Sequence, residues 1–437
     1  MSTALSAATT AMQAAVTASG LDRDTSALWP ALLPPSAHGD DEICIASAHG
    51  VRVHFTDGSD AVCGTSGLWN VPLGYGDEEI AVAITEANVR ASYAGVFRFE
   101  NVDARRAAAD LTDLTGGRFE KVIFTTSGGS ANDAVLKIAR QYWALEGHPQ
   151  RKTVLGLAES FHGLTYGAFS VTGEDLGQTM YGADRRLVRH VPVNDREALL
   201  AVAQQTGRSL AAIVIEPVLG TGTVPLDDAY LAAIAAVVRQ TGALLVVDEV
   251  ATGFGRTGPM FASEDWPIVP DILVSSKGLT NGTSATAAVL VGARVADAFA
   301  DADAVLSHAE TQAGSAAGCA AVSATIRRFR ELDALARGRA VADMLSDGLQ
   351  SWMRDDARVV RRRGRGCFQS VSILDDSGAP IDSRTVARLV TATRRAGALV
   401  HPGPGGVQFV PPLVSTADDI DTLFAAVRRG LHAVRSS

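Results

Sequence analysis

The sequence predicts an α/β protein, with a large domain on a mostly parallel sheet and a smaller α+β domain assembled from both ends of the chain. Three observations predict it. Short apolar runs alternate with amphipathic helical patterns from about residue 85 to 292, the arrangement that builds a parallel sheet covered on both faces. The polar residues best suited to chemistry fall at the carboxyl ends of those runs, where such sheets bind ligands. After about residue 315 the pattern changes to long helices with few strands. Expected boundaries are 1–84 for the N-terminal part of the small domain, 85–315 for the large domain and 316–437 for the C-terminal part of the small domain.

Residues 1 to about 35 are rich in Ala, Ser and Thr and end in the proline-punctuated "WPALLPPSAHG". "ICIASAHGVRVHFTDGSDAVCG" reads as short strands joined by an Asp57-Gly58 turn. Expected strands of the large sheet are 121–127, 153–158, 210–218, 243–249, 271–277 and 287–292. In the helical stretch "ANDAVLKIARQYWALEG", Ala131, Val135, Ile138 and Tyr142 recur on one face. Further on, "CFQSVSIL" reads as a strand, "SRTVARLVTATRRAG" as a helix and "VQFVPPL" as a short strand. The terminal helix is opened by Ser415-Thr416 as N-caps. "RRRGRG" (361–366) reads as a solvated loop feeding a strand, or alternatively as a basic patch for an acidic leader peptide.

The chain has 437 residues, 47% hydrophobic and 20% charged, which places it among globular proteins. A net charge of −9 argues against nucleic acid as a main partner. Cys44, Cys63, Cys319 and Cys367 are scattered, with no metal-ligand spacing, so no metal and free thiols are expected. No apolar run reaches the roughly 18 residues of a membrane span. The N-terminus lacks a basic region and a solid apolar core, a poor signal peptide, so a cytoplasmic enzyme is expected.

Four features carry chemistry. "ALLVVDEVATGFGRTG" (243–258) drives five apolar residues into Asp248, where an unpaired charge is costly, so a cation from outside the chain is expected there. Lys277 ends another apolar run. "TTSGGSAND" (125–133) turns from strand to helix through Gly128 and Gly129, and "ESFHG" (159–163) follows a further strand. Singly, each has a plain structural reading: a snorkelling lysine, a tight turn, a structural His162. Together they meet the needs of pyridoxal 5'-phosphate (PLP). A desolvated lysine is a nucleophile for its aldehyde, a buried carboxylate keeps its ring nitrogen protonated, and amides at a helix N-terminus hold its phosphate.

"DEVATGFGRTG", the lysine of "PDILVSSKGLTNG", "SGGSAN", "FHG" and "IEPVLGTG" resemble, in order, the class-III aminotransferases of PLP fold type I. The resemblance runs from about residue 67 to 414. It implies that Lys277 forms the Schiff base with the cofactor and shuttles the proton, and that Asp248 pairs with the pyridine nitrogen. It further implies that Val250 and Phe161 cover the two ring faces and that Gly128 and Gly129 bind phosphate. Thr311 of "HAETQAGSAAG" would reach the phosphate of a neighbouring subunit, implying a homodimer with shared sites. Trp69 of "GLWN" resembles the aromatic lining the substrate pocket of amine transaminases; a plain core tryptophan is the alternative.

The sequence also departs from the family's frequent patterns. "SGGSAN" replaces Ser-Gly-Ser-Glu-Ala-Asn, so Gly129 offers an amide but no hydroxyl. Ala251 stands where some members have glutamine. Gln408 in "VQFVPPL" replaces an arginine that clamps substrate carboxylates, and Thr221 replaces the glutamate gating it; Arg98 of "GVFRFEN" is an alternative clamp. An acceptor lacking a carboxylate beside the reacting carbon is therefore expected. The chain is also similar to aminotransferases of daptide-type peptide maturation, which implies the C-terminal ketone of a ribosomally made peptide as acceptor. Alternatives are a small-molecule omega-amine or amino-acid transaminase, a PLP-dependent aminomutase or epimerase, and a non-catalytic relative used for binding.

Overall fold

The computed structural model describes residues 27–435. The stretch up to residue 26, and the signal-peptide reading made on it, lie outside them. The chain first forms β1 (Ile45–His49), β2 (Arg52–Phe55) and β3 (Asp60–Cys63), paired antiparallel. The Asp57-Gly58 turn falls between β2 and β3 as expected. Asp57 Oδ1 accepts from the Ser59 amide and hydroxyl, and Gly58 takes a φ of +82°, which glycine adopts without steric cost.

The large domain contributes β4 (Lys121–Thr125), β5 (Thr153–Leu157), β6 (Val188–Val191), β7 (Leu210–Ile215), a ribbon of β8 (Val218–Leu219) with β9 (Val224–Pro225), β10 (Leu244–Asp248), β11 (Ile272–Ser275) and β12 (Ala287–Val291). Apart from the ribbon, these form one sheet in the order β4-β12-β11-β10-β7-β5-β6. It is mostly parallel, as expected, but β12 runs antiparallel to both of its neighbours. Every residue of β5, β7, β10, β11 and β12 is buried, which is why these strands are near-continuous apolar runs. β6 was not expected from the sequence. It lies at the sheet edge, exposes Arg189 and half-buries His190, so it carries no such run.

The helix Gly128–Leu145 buries Ala131, Val135, Ile138 and Tyr142 on the predicted face, against β-strand residues such as Val154, Val246 and Val289. On the other face of the sheet, the helix Asp228–Thr241 packs Leu231, Ile234 and Val238 against Ile213, Leu245 and Val247.

The smaller domain adds β13 (Val359–Arg365), β14 (Phe368–Ile373), β15 (Ala398–Leu399), β16 (His401–Gly403) and β17 (Gly406–Phe409). Four of these form a sheet ordered β13-β14-β17-β16, while β15 pairs parallel to β3 and joins the two ends of the chain. The terminal helix Ala417–Arg435 is capped by Thr416, whose hydroxyl accepts from the Asp419 amide. The expected loop at "RRRGRG" is corrected: residues 361–365 belong to β13. The β14 backbone supplies its partners, with an irregular register between Val360 and Arg363 where Arg361 has φ +51°. An edge strand tolerates this charge because one side faces solvent.

Candidate functional site

β10 and β11 are parallel neighbours with Asp248 opposite Val274. Asp248 at the end of one and Lys277, just past the end of the other, therefore emerge from the same edge of the sheet. Asp248 is 3% exposed. Its Oδ2 accepts from His162 Nδ1 and Asn132 Nδ2, each at 2.8 Å, and its Oδ1 accepts from the Val250 amide at 3.0 Å. The expected lone charge is thus partly met within the chain, by His162. Burial discourages a charge on this histidine, but the hydrogen bond and field of Asp248, with Glu216 beyond, hold its pKa above the ordinary value. His162 Nε2 remains buried without a partner.

Lys277 is buried, and desolvation pushes its pKa down to about 8 against the pull of Asp248 and Glu216; Arg256 adds to the downward push. Its Nζ lies 4.4 Å from the centre of the Trp69 ring. Trp69 is delivered by an unusual backbone: Ser66, Gly67, Leu68 and Trp69 all have φ between +46° and +67°. Left-handed backbone at three non-glycine residues costs roughly 1–2 kcal/mol each, so the surroundings must over-determine it. They do so with Ser66 Oγ bonding the Val410 carbonyl at 2.7 Å and accepting from Arg256 at 3.0 Å, and with Asn70 Nδ2 donating to the carbonyls of Gly67 and Leu68. Trp69 thus stands against the Lys277 amine.

Opposite the strand ends, Ser127 caps the helix Gly128–Leu145 by accepting from the Ser130 amide. A Cβ on Gly128 would meet Val250 Cγ2 at 3.0 Å, and one on Gly163 would meet Gly129 Cα at 2.5 Å. Only glycine at position 163 lets the Phe161–Gly163 loop approach the helix start so closely, whereas a Cβ on Gly129 would find nothing nearer than 3.4 Å. Phe161 is 37% exposed, and its amide donates to Glu216 Oε1 at 2.9 Å. Ala251 is buried.

Glu216 and His401 were missed by sequence reasoning. Glu216 follows directly on β7, as Asp248 ends β10, and a carboxylate closing an apolar strand was the available signal. Burial, against the attraction of His162, raises its pKa to about 7, and its Oε2 accepts from the Gly220 amide. No comparable signal marks His401. Its ring centre lies 5.3 Å from that of Trp69; burial and then repulsion from Lys277 lower its pKa to about 4.

Gln408 is 1% exposed and directly opposite His401 on β16 and Ser370 on β14. Its Nε2 donates to the Gly220 carbonyl at 2.8 Å, whereas its Oε1 is buried without a partner. Thr221 donates to Glu174. Arg98 is exposed in the loop before the helix Val102–Leu114, and Thr311 is exposed in the segment 302–315. Among the described residues no cluster suited to a metal ion occurs, and no helix is long and apolar enough to cross a membrane.

The chain and its fold have counterparts among known proteins. The aminotransferase class-III family matches residues 35–431. An omega-aminotransferase from Caulobacter vibrioides is 29% identical, covering 94% of this chain and 98% of its own length. An amine transaminase from an uncultivated Pseudomonas species, solved with PLP bound, superposes with a TM-score of 0.88 at 27% identity, over 94% of this chain and all of the other. A thermostable (S)-enantioselective omega-transaminase from Thermomicrobium roseum gives 0.87 at 28% identity, with 98% of each chain covered. A match over nearly the whole length, in sequence and in fold, makes this chain a class-III aminotransferase of PLP fold type I, an enzyme that transfers amino groups with PLP as its cofactor.

Proposed function

We propose that the enzyme transfers an amino group from a small donor to a small ketone or aldehyde with no carboxylate beside the reacting carbon. The observation that carries this reading is Gln408: a buried, uncharged side chain engaged with the Gly220 carbonyl, beside a His401 that stays neutral at pH 7. A substrate carboxylate buried against that wall would lose its hydration for no opposite charge. Arg256 is close enough to affect Lys277, but its guanidinium is spent on the Pro411 and Cys367 carbonyls and on Ser66. None of the relatives described above is named for a peptide substrate, so small molecules are preferred here to the peptide ketone.

The residues fit PLP: a buried amine at Lys277, a buried carboxylate at Asp248 and a helix start led by Gly128, which lies against Val250, gather beyond the strand ends of one sheet. When bound, PLP supplies an aldehyde for amines and a protonated ring that takes up electron density from the reacting carbon. The chain does the rest. Lys277, buried and with its pKa near 8, is neutral in about a tenth of molecules at pH 7, far more than an ordinary lysine. It would supply the amine for the aldehyde and the base for the proton at the reacting carbon. Asp248, fixed by three donors, would pair with the protonated ring nitrogen. Val250 and Phe161 would cover the ring, and the amides of Gly128 and Gly129, at a helix N-terminus, would hold the phosphate. Trp69 covers the Lys277 amine and limits water there. The family resemblance gives Thr311 to the phosphate of a second copy of the chain, and its exposure here supports a homodimer as the working unit.

The test is a competition among acceptors with a fixed amino donor. A kcat/KM at least tenfold higher for small ketones and aldehydes than for 2-keto acids is expected. Preference for 2-keto acids overturns the acceptor assignment, and product formed with no donor would indicate an isomerase instead.

A further inference from the structure

The segment 302–315 runs back along the helix Gly128–Leu145 in a fixed register. Gln141 Nε2 donates to the Val305 carbonyl and Lys137 Nζ to the Ser307 carbonyl, both at 2.9 Å. At the head of the helix, Ser130 Oγ donates to Glu310 Oε1 at 2.6 Å. Positions 130, 137 and 141 are spaced by seven and four and so share one stripe of the helix. The segment is a strap along that stripe, and what it delivers to the helix start is one carboxylate.

That carboxylate does more than meet Ser130. Glu310 Oε2 accepts from the Thr126 amide at 3.1 Å and also from the Thr126 hydroxyl. It therefore bridges the residue before the N-cap and the third residue of the helix, and Gly128 and Gly129 lie between the bridged residues. In a capping box, a glutamate at the third helical position reaches back to the start of its own helix. Here that position is Ser130, and the carboxylate comes from 180 residues away. It also occupies the Ser130 hydroxyl, so the phosphate must be met mainly by backbone amides.

We propose that Glu310 is the positioning residue of the phosphate cup, fixing the Ser127–Ser130 turn from the strap so that its amides are set for the cofactor's phosphate. Hydrogen bonds to an ionised carboxylate are shorter and stronger than neutral ones, and amides held in place before binding need no ordering when the anion arrives. His308, on the same strap, places Nε2 3.7 Å from Glu310 Oε1, too far for a hydrogen bond, and both of its ring nitrogens are buried without a partner.

The proposal rests on the cofactor assignment and not on the acceptor, so the acceptor competition can fail without touching it. The test is titration of the apoenzyme with PLP and, separately, with pyridoxal, which lacks the phosphate, followed by absorbance. Glu310→Ala is expected to weaken PLP by about tenfold, the scale of a lost charge-assisted contact, and to leave pyridoxal within about twofold of the parent. Adding Ser130→Glu should restore PLP affinity to within about threefold, by returning the carboxylate to the helix. Glu310→Gln keeps the volume and one acceptor, guards against a folding defect, and should give an intermediate loss. Unchanged or tighter PLP binding, equal losses for PLP and pyridoxal, or no recovery with Ser130→Glu each overturns the proposal.

Discussion

Lys277→Met should make the apoenzyme more stable at neutral pH, with a pH signature that identifies the cause. The lysine amine is charged below its pKa but sits where water is excluded, and burial moves that pKa from 10.5 to about 8. At about 1.4 kcal/mol per pH unit, holding the charged amine in the folded state costs about 3 kcal/mol. Below pH 8 the amine is charged in both folded and unfolded chains, so the whole cost applies. Between about 8 and 10.5 the unfolded chain binds more protons than the folded one, so stability rises with pH and the cost fades. Methionine has similar length and no charge, so it removes the cost at every pH. The measurement is urea denaturation of both apoenzymes at pH 7 and pH 10, followed by fluorescence. The methionine variant should be ahead by about 3 kcal/mol at pH 7, less whatever cation–π attraction Trp69 returns to the lysine, and nearly level at pH 10. An equal gap at both pH values, or none at pH 7, would refute desolvation as the origin of the lysine's depressed pKa.

Two further expectations follow from the walls of the site. Gln408→Arg should shift the ratio of kcat/KM values toward 2-keto acids by about tenfold or more, because a guanidinium can meet a carboxylate bidentately. The same change should lower the melting temperature, since a charge replaces a residue 1% exposed; an unchanged ratio would remove Gln408 from the acceptor wall. Gly163→Ala, which places a Cβ 2.5 Å from Gly129 Cα at a φ of +123°, should cost more than about 2 kcal/mol in stability and loosen PLP binding. Thermal melting and apoenzyme titration check both effects, and a variant indistinguishable from the parent would show that the loop and helix start are free to separate.

The sequence was enough to place Asp248 and Lys277 because each closes an apolar run, and a fully buried strand writes itself into local composition. The helix Gly128–Leu145 was legible for the same reason, through one repeating apolar face and a glycine pair at its start. Chemistry confined to strand ends then pointed to a single edge of the sheet. Where local composition is mixed, pairing was decided elsewhere. β6 exists because β5 offers it an edge, and "RRRGRG" is a strand because β14 supplies its hydrogen bonds. Nor could the antiparallel sense of β12 be read from its residues, since a run buried on both faces looks the same in either direction.

The residues left for the tertiary structure to reveal act through partners far along the chain. Glu216 matters because Phe161 and Gly220 fold onto it, and His401 because Trp69 is turned toward it by a left-handed backbone held from Val410 and Arg256. Glu310 meets Thr126 and Ser130 only when the strap lies along its helix. Composition and periodicity record what each segment buries. Which segments then meet depends on closing long loops against chain entropy, and no stretch of sequence carries that outcome by itself.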